Sequence, residues 1–139
     1  MGDTDARLEA AVAGDLAGYD GPAAVMSFNP HMVAHLARLA PQVPRGIVSS
    51  SFRVRNWMLL REETRAHLRG IPDYARTGSS FISHEVHDLD RPRVAELKAQ
   101  GAKVFCWTVK SLAEEVTARH VADNITFEGY PAQIARQAS

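Results

Sequence analysis

Residues 103–110, Lys-Val-Phe-Cys-Trp-Thr-Val-Lys, decide the fold that this sequence predicts. They form an apolar run of strand-forming residues between two helical patterns. The helix predicted before the run, residues 92–101, has proline near its first turn and glycine just past its end. After the run, Ser111 and Glu114 have the spacing of a capping box, which opens a second helix. A continuous apolar strand between helices is typical of a parallel sheet that is covered on both faces.

The rest of the chain repeats this alternation with short connections. Further strands are predicted at residues 23–28, 45–50, 81–86 and 124–127, and further helices at 5–19, 30–39, 56–69, 112–120 and from Pro131 onward. The second helix begins behind Asn29 as its cap and should bury a stripe made of Met32, Val33, Leu36 and Leu39. Alternating strands and helices predict an α/β fold with a parallel sheet.

Composition indicates one ordinary globular unit covering residues 1–139. The chain is 45% hydrophobic and 23% charged, which is enough apolar material for a single core. Sixteen basic and sixteen acidic residues balance, so no overall field would attract nucleic acid or an anionic membrane, and no nucleic-acid partner is expected. The lone cysteine, Cys106, has no internal disulfide partner and is interpreted as a core residue. No apolar run approaches the roughly 20 residues of a spanning helix, and no signal peptide is recognised, so we predict a cytoplasmic protein.

Several short motifs occur in an order that resembles a known family. Gly-x-x-Val-x-x-Trp-Thr-Val runs from Gly101 to Val109, and Ala-Asp-Asn-Ile-Thr-Phe-Glu at 122–128 is followed by Pro131. Upstream lie Val-Met-Ser-Phe-Asn-Pro at 25–30 and Pro-Arg-Gly-Ile-Val at 44–48. This ordered set resembles the end of the glycerophosphodiester phosphodiesterase family. The resemblance implies the C-terminal half of a TIM (β/α)8 barrel and hydrolysis of a small-molecule glycerophosphodiester to glycerol 3-phosphate and an alcohol.

The resemblance also implies four substrate-binding positions. Phe28 and Trp107 match residues that line the substrate pocket in the family, although both aromatic side chains can equally fill the barrel interior. Lys110 stands where the family usually has asparagine and can offer a cation to a phosphate or simply face solvent. Glu128 stands where the family usually has aspartate and can hold a metal-bound water or a hydroxyl, or remain solvated.

The family's catalytic motifs are the main departure. A His-Arg pair provides acid, base and phosphate contacts in the family, while strand-borne Glu-x-Asp and Glu-x-Lys motifs hold a divalent cation, magnesium or calcium. We expect none of these motifs in this sequence, so we assign no catalytic residue and no metal ligand. We therefore expect a truncated form that needs an N-terminal half for activity.

A half-barrel leaves open strand edges and an uncovered wall. We expect the chain to form a homo-oligomer or to pair with a complementary N-terminal half. An alternative function is a non-catalytic half-barrel that serves as a binding or assembly module.

The densest polar cluster is His-Glu-Val-His-Asp at 84–88, which suggests a rival hypothesis. On a strand Glu85 and His87 share one face, so with Asp88 they can form an independent metal-dependent hydrolase site if a third ligand lies close. The other four histidines lie on predicted helices and need no special role; they are His31, His35, His67 and His120.

Overall fold

The computed structural model of the protein describes residues 5–133 and confirms the predicted alternation. The five helices are α1 Arg7–Ala17, α2 Pro30–Leu39, α3 Glu62–Arg69, α4 Pro92–Ala99 and α5 Leu112–Ala118. The five strands are β1 Val25–Ser27, β2 Arg45–Ser49, β3 Phe81–Glu85, β4 Lys103–Val109 and β5 Asn124–Phe127. Two single turns of 3-10 helix, Val54–Asn56 and Val86–Asp88, follow β2 and β3. No helix within residues 5–133 is long and apolar enough to cross a bilayer.

All five strands are parallel and lie in the order β1-β2-β3-β4-β5. Each strand is joined to the next through a connection that packs on one side of the sheet, which curves into half of a barrel. The predicted fold class, a parallel α/β half-barrel, is confirmed. Among the described residues, β1 and β5 each pair with one neighbour only, so both form open edges.

The capping residues read from the sequence set the boundaries of the elements. Asn29 accepts a hydrogen bond from the His31 backbone amide at the start of α2, and Ser111 accepts one from the Glu114 amide at the start of α5. Gly101 follows α4 with a φ of 96°, a left-handed conformation that suits glycine. Its amide and that of Ala102 donate to the last carbonyls of α4, the Schellman pattern, and the chain then turns directly into β4.

The main hydrophobic core lies between the outer face of the sheet and the helices that cover it. Its central residues are fully buried: Val33, Ile82, Val94, Leu97, Val104, Cys106 and Val109. The prediction that Cys106 is a core residue is confirmed, and burial raises the pKa of its thiol to about 11. The inner face of the sheet has its own smaller packing, in which the Phe81 and Phe105 rings lie 4.8 Å apart. Phe81 lies so close over Gly46 that a side chain at Gly46 would meet the ring.

Two details differ from the sequence expectations, and one prediction lies mostly outside the described residues. Leu39 is 47% exposed and does not belong to the buried stripe of α2, which instead includes His35 facing the buried Glu9 of α1. The helix predicted from residue 56 begins only at Glu62, because residues 53–61 form a separate ordered loop. The helix predicted from Pro131 lies mostly outside the described residues.

Candidate functional site

A cleft of about 490 Å³ opens on the inner face of the half-barrel, toward the carboxyl ends of the strands. Ligands of parallel α/β folds bind at this end. Every strand contributes at least one lining residue. The lining residues are Met26, Ser27, Phe28, Asn29, Val48, Ser83, Trp107 and Thr126. Two of the four predicted substrate-binding residues, Phe28 and Trp107, therefore line one cleft.

Phe28 and Trp107 belong to an aromatic cluster that the sequence does not reveal. Their ring centres are 5.4 Å apart in an edge-to-face arrangement, and Phe28 also lies 5.0 Å from Trp57. Trp57 in turn contacts Phe52, whose ring is buried. The Trp107 indole Nε1 donates to the Ser83 carbonyl oxygen at 3.0 Å, which fixes the indole across β3. Edge-to-face contacts and this hydrogen bond hold the walls of the cleft rigid.

Ser83 is a cleft residue that sequence reasoning missed. Its side chain is 1% exposed and lines the cleft, yet its Oγ has no hydrogen-bond partner among residues 5–133. A buried hydroxyl without a partner is costly, and in native proteins such groups are commonly satisfied by a ligand or by water. The only sequence signal was its place on the inward-facing register of β3, one residue before His84.

Lys110 and Glu128 occupy the rim of the half-barrel and bind each other. The Lys110 Nζ lies 2.8 Å from a Glu128 carboxylate oxygen, and both side chains are exposed. The hydrogen bond to Glu128 raises the pKa of Lys110, so the amine stays protonated. The two residues directly follow the paired strand ends of β4 and β5, which brings the predicted positions together, but neither lines the cleft.

The polar cluster at 84–88 does not form the metal site of the rival hypothesis. β3 ends at Glu85 and the chain then turns, so Glu85 and His87 do not share a face. Glu85 accepts hydrogen bonds from the Ser51 amide and hydroxyl, at 3.2 and 2.8 Å, whereas the exposed His87 faces Glu114 at 3.5 Å. Within residues 5–133 no group of three or more His, Cys, Asp or Glu side chains can hold a metal ion. The residues described here therefore do not fit the divalent cation of the resemblance.

Two residues of this cluster, His84 and Asp88, form a series of hydrogen bonds with Ser49. Ser49 Oγ lies 2.7 Å from His84 Nδ1, and His84 Nε2 lies 3.0 Å from an Asp88 carboxylate oxygen that also accepts from Arg91. The residue types match a hydrolase triad, but Ser49 and His84 are buried beneath the helices, where no substrate reaches them. These hydrogen bonds instead connect β2, β3 and the turn that follows β3.

Burial lowers the pKa of His84 and outweighs the opposing effect of the Asp88 carboxylate. Burial alone would raise the pKa of Asp88, but hydrogen bonds from Arg91 and His84 outweigh it and lower that pKa. His84 is therefore neutral in the folded protein, and charging it opposes folding.

We expect the free energy of unfolding to fall as the pH drops below 6.5, the ordinary pKa of the histidine. Just below that pH, His84 is protonated in the unfolded chain but stays neutral in the folded protein, so a lower pH favours unfolding. Urea unfolding at a series of pH values between about 7 and 5 measures the slope. His84→Gln should flatten this slope, and His120→Gln, at an exposed histidine, should leave it unchanged. An unchanged slope in His84→Gln would contradict the assignment of this pH dependence to His84.

The expectation that none of the family's motifs is present was wrong for one of them: Glu-x-Lys occurs once, as Glu96-Leu97-Lys98, but on α4 rather than on a strand. Glu96 pairs with Arg93 at 2.8 Å, and Lys98 donates to the Val121 carbonyl on the outer side of the fold. This occurrence lies far from the cleft and has no part in it.

Comparison with known proteins agrees with the architecture. The model of the glycerophosphoryl diester phosphodiesterase family matches residues 8–124, and the chain belongs to this family. No curated protein matches the chain at a significant level.

Three solved structures share the fold. The first, a protein of Silicibacter pomeroyi described as a glycerophosphoryl diester phosphodiesterase, has 22% identity and a TM-score of 0.65 over 88% of this chain and 40% of its own. A phosphodiesterase of Oleispira antarctica, solved with the product sn-glycerol-3-phosphate, has 19% identity and a TM-score of 0.65 over 86% of this chain and 44% of its own. A Galdieria sulphuraria protein described as a glycerophosphodiester phosphodiesterase has 18% identity and a TM-score of 0.52 over 73% of this chain and 38% of its own. The chain thus spans about two fifths of the length of these proteins.

Proposed function

We propose that the chain forms the substrate-binding wall of a glycerophosphodiester phosphodiesterase, which hydrolyses glycerophosphodiesters to glycerol 3-phosphate and an alcohol. The observation that carries the proposal is the cleft bounded by Phe28 and Trp107 at the carboxyl end of a half-barrel of this family. In this proposal the His-Arg pair and the metal-binding motifs come from a complementary N-terminal half that these 139 residues do not include.

The chemistry of the lining assigns this wall to the uncharged part of the substrate. None of the eight lining side chains is charged, and the walls consist of aromatic, aliphatic and hydroxyl groups. Carbon-bound hydrogens of glycerol pack on the rings of Phe28 and Trp107, while the buried Ser83 hydroxyl can donate to a glycerol oxygen. Lys110 and Glu128 lie at the rim, and we propose that Lys110 exchanges its carboxylate partner for the substrate phosphate.

The proposal is tested by binding and by turnover. Glycerol 3-phosphate titrated into the labelled chain should shift the NMR signal of the Trp107 indole N–H, which donates to Ser83 in the free protein. The chain alone should release no glycerol 3-phosphate with magnesium, calcium or manganese. A chimera that places the first half of the Silicibacter pomeroyi protein before residues 5–133 should restore release. An unshifted indole signal would contradict the binding wall, and turnover by the chain alone would contradict the need for a second half.

Replacing Ser83 by alanine should weaken glycerol 3-phosphate binding about fivefold, because one hydrogen bond to the ligand is lost. The free energy of unfolding should stay the same or rise slightly, since the substitution removes a buried hydroxyl that lacks a partner in the described residues. Calorimetric titration and urea unfolding measure the two effects. Ser80→Ala, at the exposed amino end of the same strand, should change neither quantity. Unaltered affinity in Ser83→Ala would remove Ser83 from the site.

A second candidate function, the non-catalytic binding or assembly module, is favoured by the open edges. β1 and β5 have unpaired outer edges among the described residues, and Met26 on the inner face is 50% exposed. Exposed edges and an uncovered face favour self-association or pairing with a complementary half. Light scattering of the purified chain should give the mass of a homo-oligomer; a cooperatively melting monomer would sink this candidate. A cytoplasmic location stays a prediction from the sequence alone.

A further inference from the structure

The loop of residues 53–61, between β2 and α3, presents apolar side chains to solvent beside the cleft; we call it the arginine loop. Leu59 is fully exposed at 102%, Met58 is 75% exposed and Val54 is 57% exposed. Single exposed apolar residues are common on protein surfaces, but this loop of nine residues exposes three, and we call them the apolar patch. Such patches mark surfaces that bind something.

The patch is held outward by the packing beneath it. Phe52 before the loop is buried, and Trp57 inside the loop packs against Phe28 of the cleft. Successive turns fix the backbone, because the amides of Asn56, Trp57 and Leu60 each donate to the carbonyl three residues earlier. The loop therefore uses its aromatic residues as anchors and keeps Met58 and Leu59 at its tip.

Arginines flank the exposed apolar residues of the loop in the sequence. Arg53, Arg55 and Arg61 are all exposed, and no acidic residue occurs between Ser49 and Arg61. Glu62, which follows the loop, is already engaged by Arg65 and Arg69 of α3. The loop thus carries a local charge of three positive groups that the zero net charge of the chain conceals.

We propose that the arginine loop docks the protein on the surface of an anionic lipid bilayer. Apolar side chains at the tip enter the boundary between headgroups and acyl chains, while the arginines around them bind the anionic headgroups. The composition of the loop favours a membrane over another protein, because three exposed arginines and exposed apolar side chains, with no carboxylate among them, complement the surface of an anionic bilayer. The loop follows the carboxyl end of β2 and contacts the cleft through Trp57, so docking brings the mouth of the cleft to the membrane.

The inference goes beyond the proposed hydrolysis, and its test does not depend on turnover. The purified chain is sedimented with vesicles of phosphatidylcholine alone and with vesicles of phosphatidylcholine mixed with phosphatidylglycerol. We expect binding to the mixed vesicles, much weaker binding to the neutral ones, and a decrease with added salt as the arginines are screened. Failure of the phosphodiesterase proposal would leave these results unchanged.

Variants separate the contribution of the apolar side chains to vesicle binding from that of the arginines. Met58→Ser/Leu59→Ser should lower partitioning at least about tenfold by removing the inserted groups. Arg53→Gln/Arg55→Gln should lower it about fivefold for each arginine and reduce the salt dependence. The matched control is Arg38→Gln/Leu39→Ser, which removes an exposed arginine and an exposed leucine at the C-terminal end of α2, at the opposite end of the sheet.

Wild-type binding that exceeds binding of both loop variants, with the control variant unaffected, supports the proposal. Absence of binding to the mixed vesicles overturns it, as does equal binding by the loop variants. Light scattering decides the rival interpretation: loop variants that change the oligomeric state without changing vesicle binding would assign the patch to a protein contact and overturn membrane docking.

Discussion

Trp107→Ala is expected to abolish measurable glycerol 3-phosphate binding and to lower the free energy of unfolding by about 2 to 4 kcal/mol. The indole forms one wall of the cleft, packs on Phe28 and donates to the Ser83 carbonyl, so its removal takes away all three contacts. NMR titration and urea unfolding of the same protein measure both losses.

Trp107→Phe gives the matched control for this experiment. The ring contact with Phe28 is kept while the hydrogen bond to Ser83 is lost, so stability should fall by only about 1 kcal/mol. Ligand binding should persist at reduced affinity. A Trp107→Ala protein that binds glycerol 3-phosphate as well as the wild type would show that the cleft is not the ligand site, even if its stability falls as expected.

Leu36→Ala should lower the free energy of unfolding by about 2 to 4 kcal/mol, whereas Leu39→Ala, three residues later on the same helix, should cost under about 1 kcal/mol. Leu36 is 6% exposed and lies against the sheet, so truncation leaves a cavity, while Leu39 is largely solvated. The two variants change the same side chain in the same way on one helix. Equal losses would mean that α2 packs differently from the arrangement described.

Much of the fold can be predicted from local sequence signals. The apolar run at residues 103–110, the caps Asn29 and Ser111, and the glycine after α4 each act over a few residues, and each was confirmed. The prediction that Leu39 is buried was wrong, because helical spacing does not say where a helix passes beyond the edge of the sheet. The predicted start of α3 at residue 56 was wrong, because Trp57 packs against Phe28. This contact between residues distant in the sequence overrides helical periodicity.

The site was harder to predict than the fold. Phe28 and Trp107 were found through resemblance, and the cleft is built between them. Glu85 and His87 separated because β3 ends between them, which strand alternation cannot anticipate. Ser83 and the hydrogen bonds from Ser49 to Asp88 depend on which strands become neighbours and on burial, and a lone serine carries no sign of either.

Because the main core lies between the sheet and its helices, the residues that stabilise the fold and the residues that line the inner face occupy opposite faces of the strands. Residues that stabilise the fold, such as Ile82 and Val104, point outward, while their strand neighbours Ser83 and Phe105 point toward the inner face of the sheet. Alternating positions on one strand can thus evolve under different pressures. Randomising the inward positions Met26, Val48 and Thr126 should yield mostly folded libraries, which makes this wall a practical scaffold for selecting new small-molecule binders.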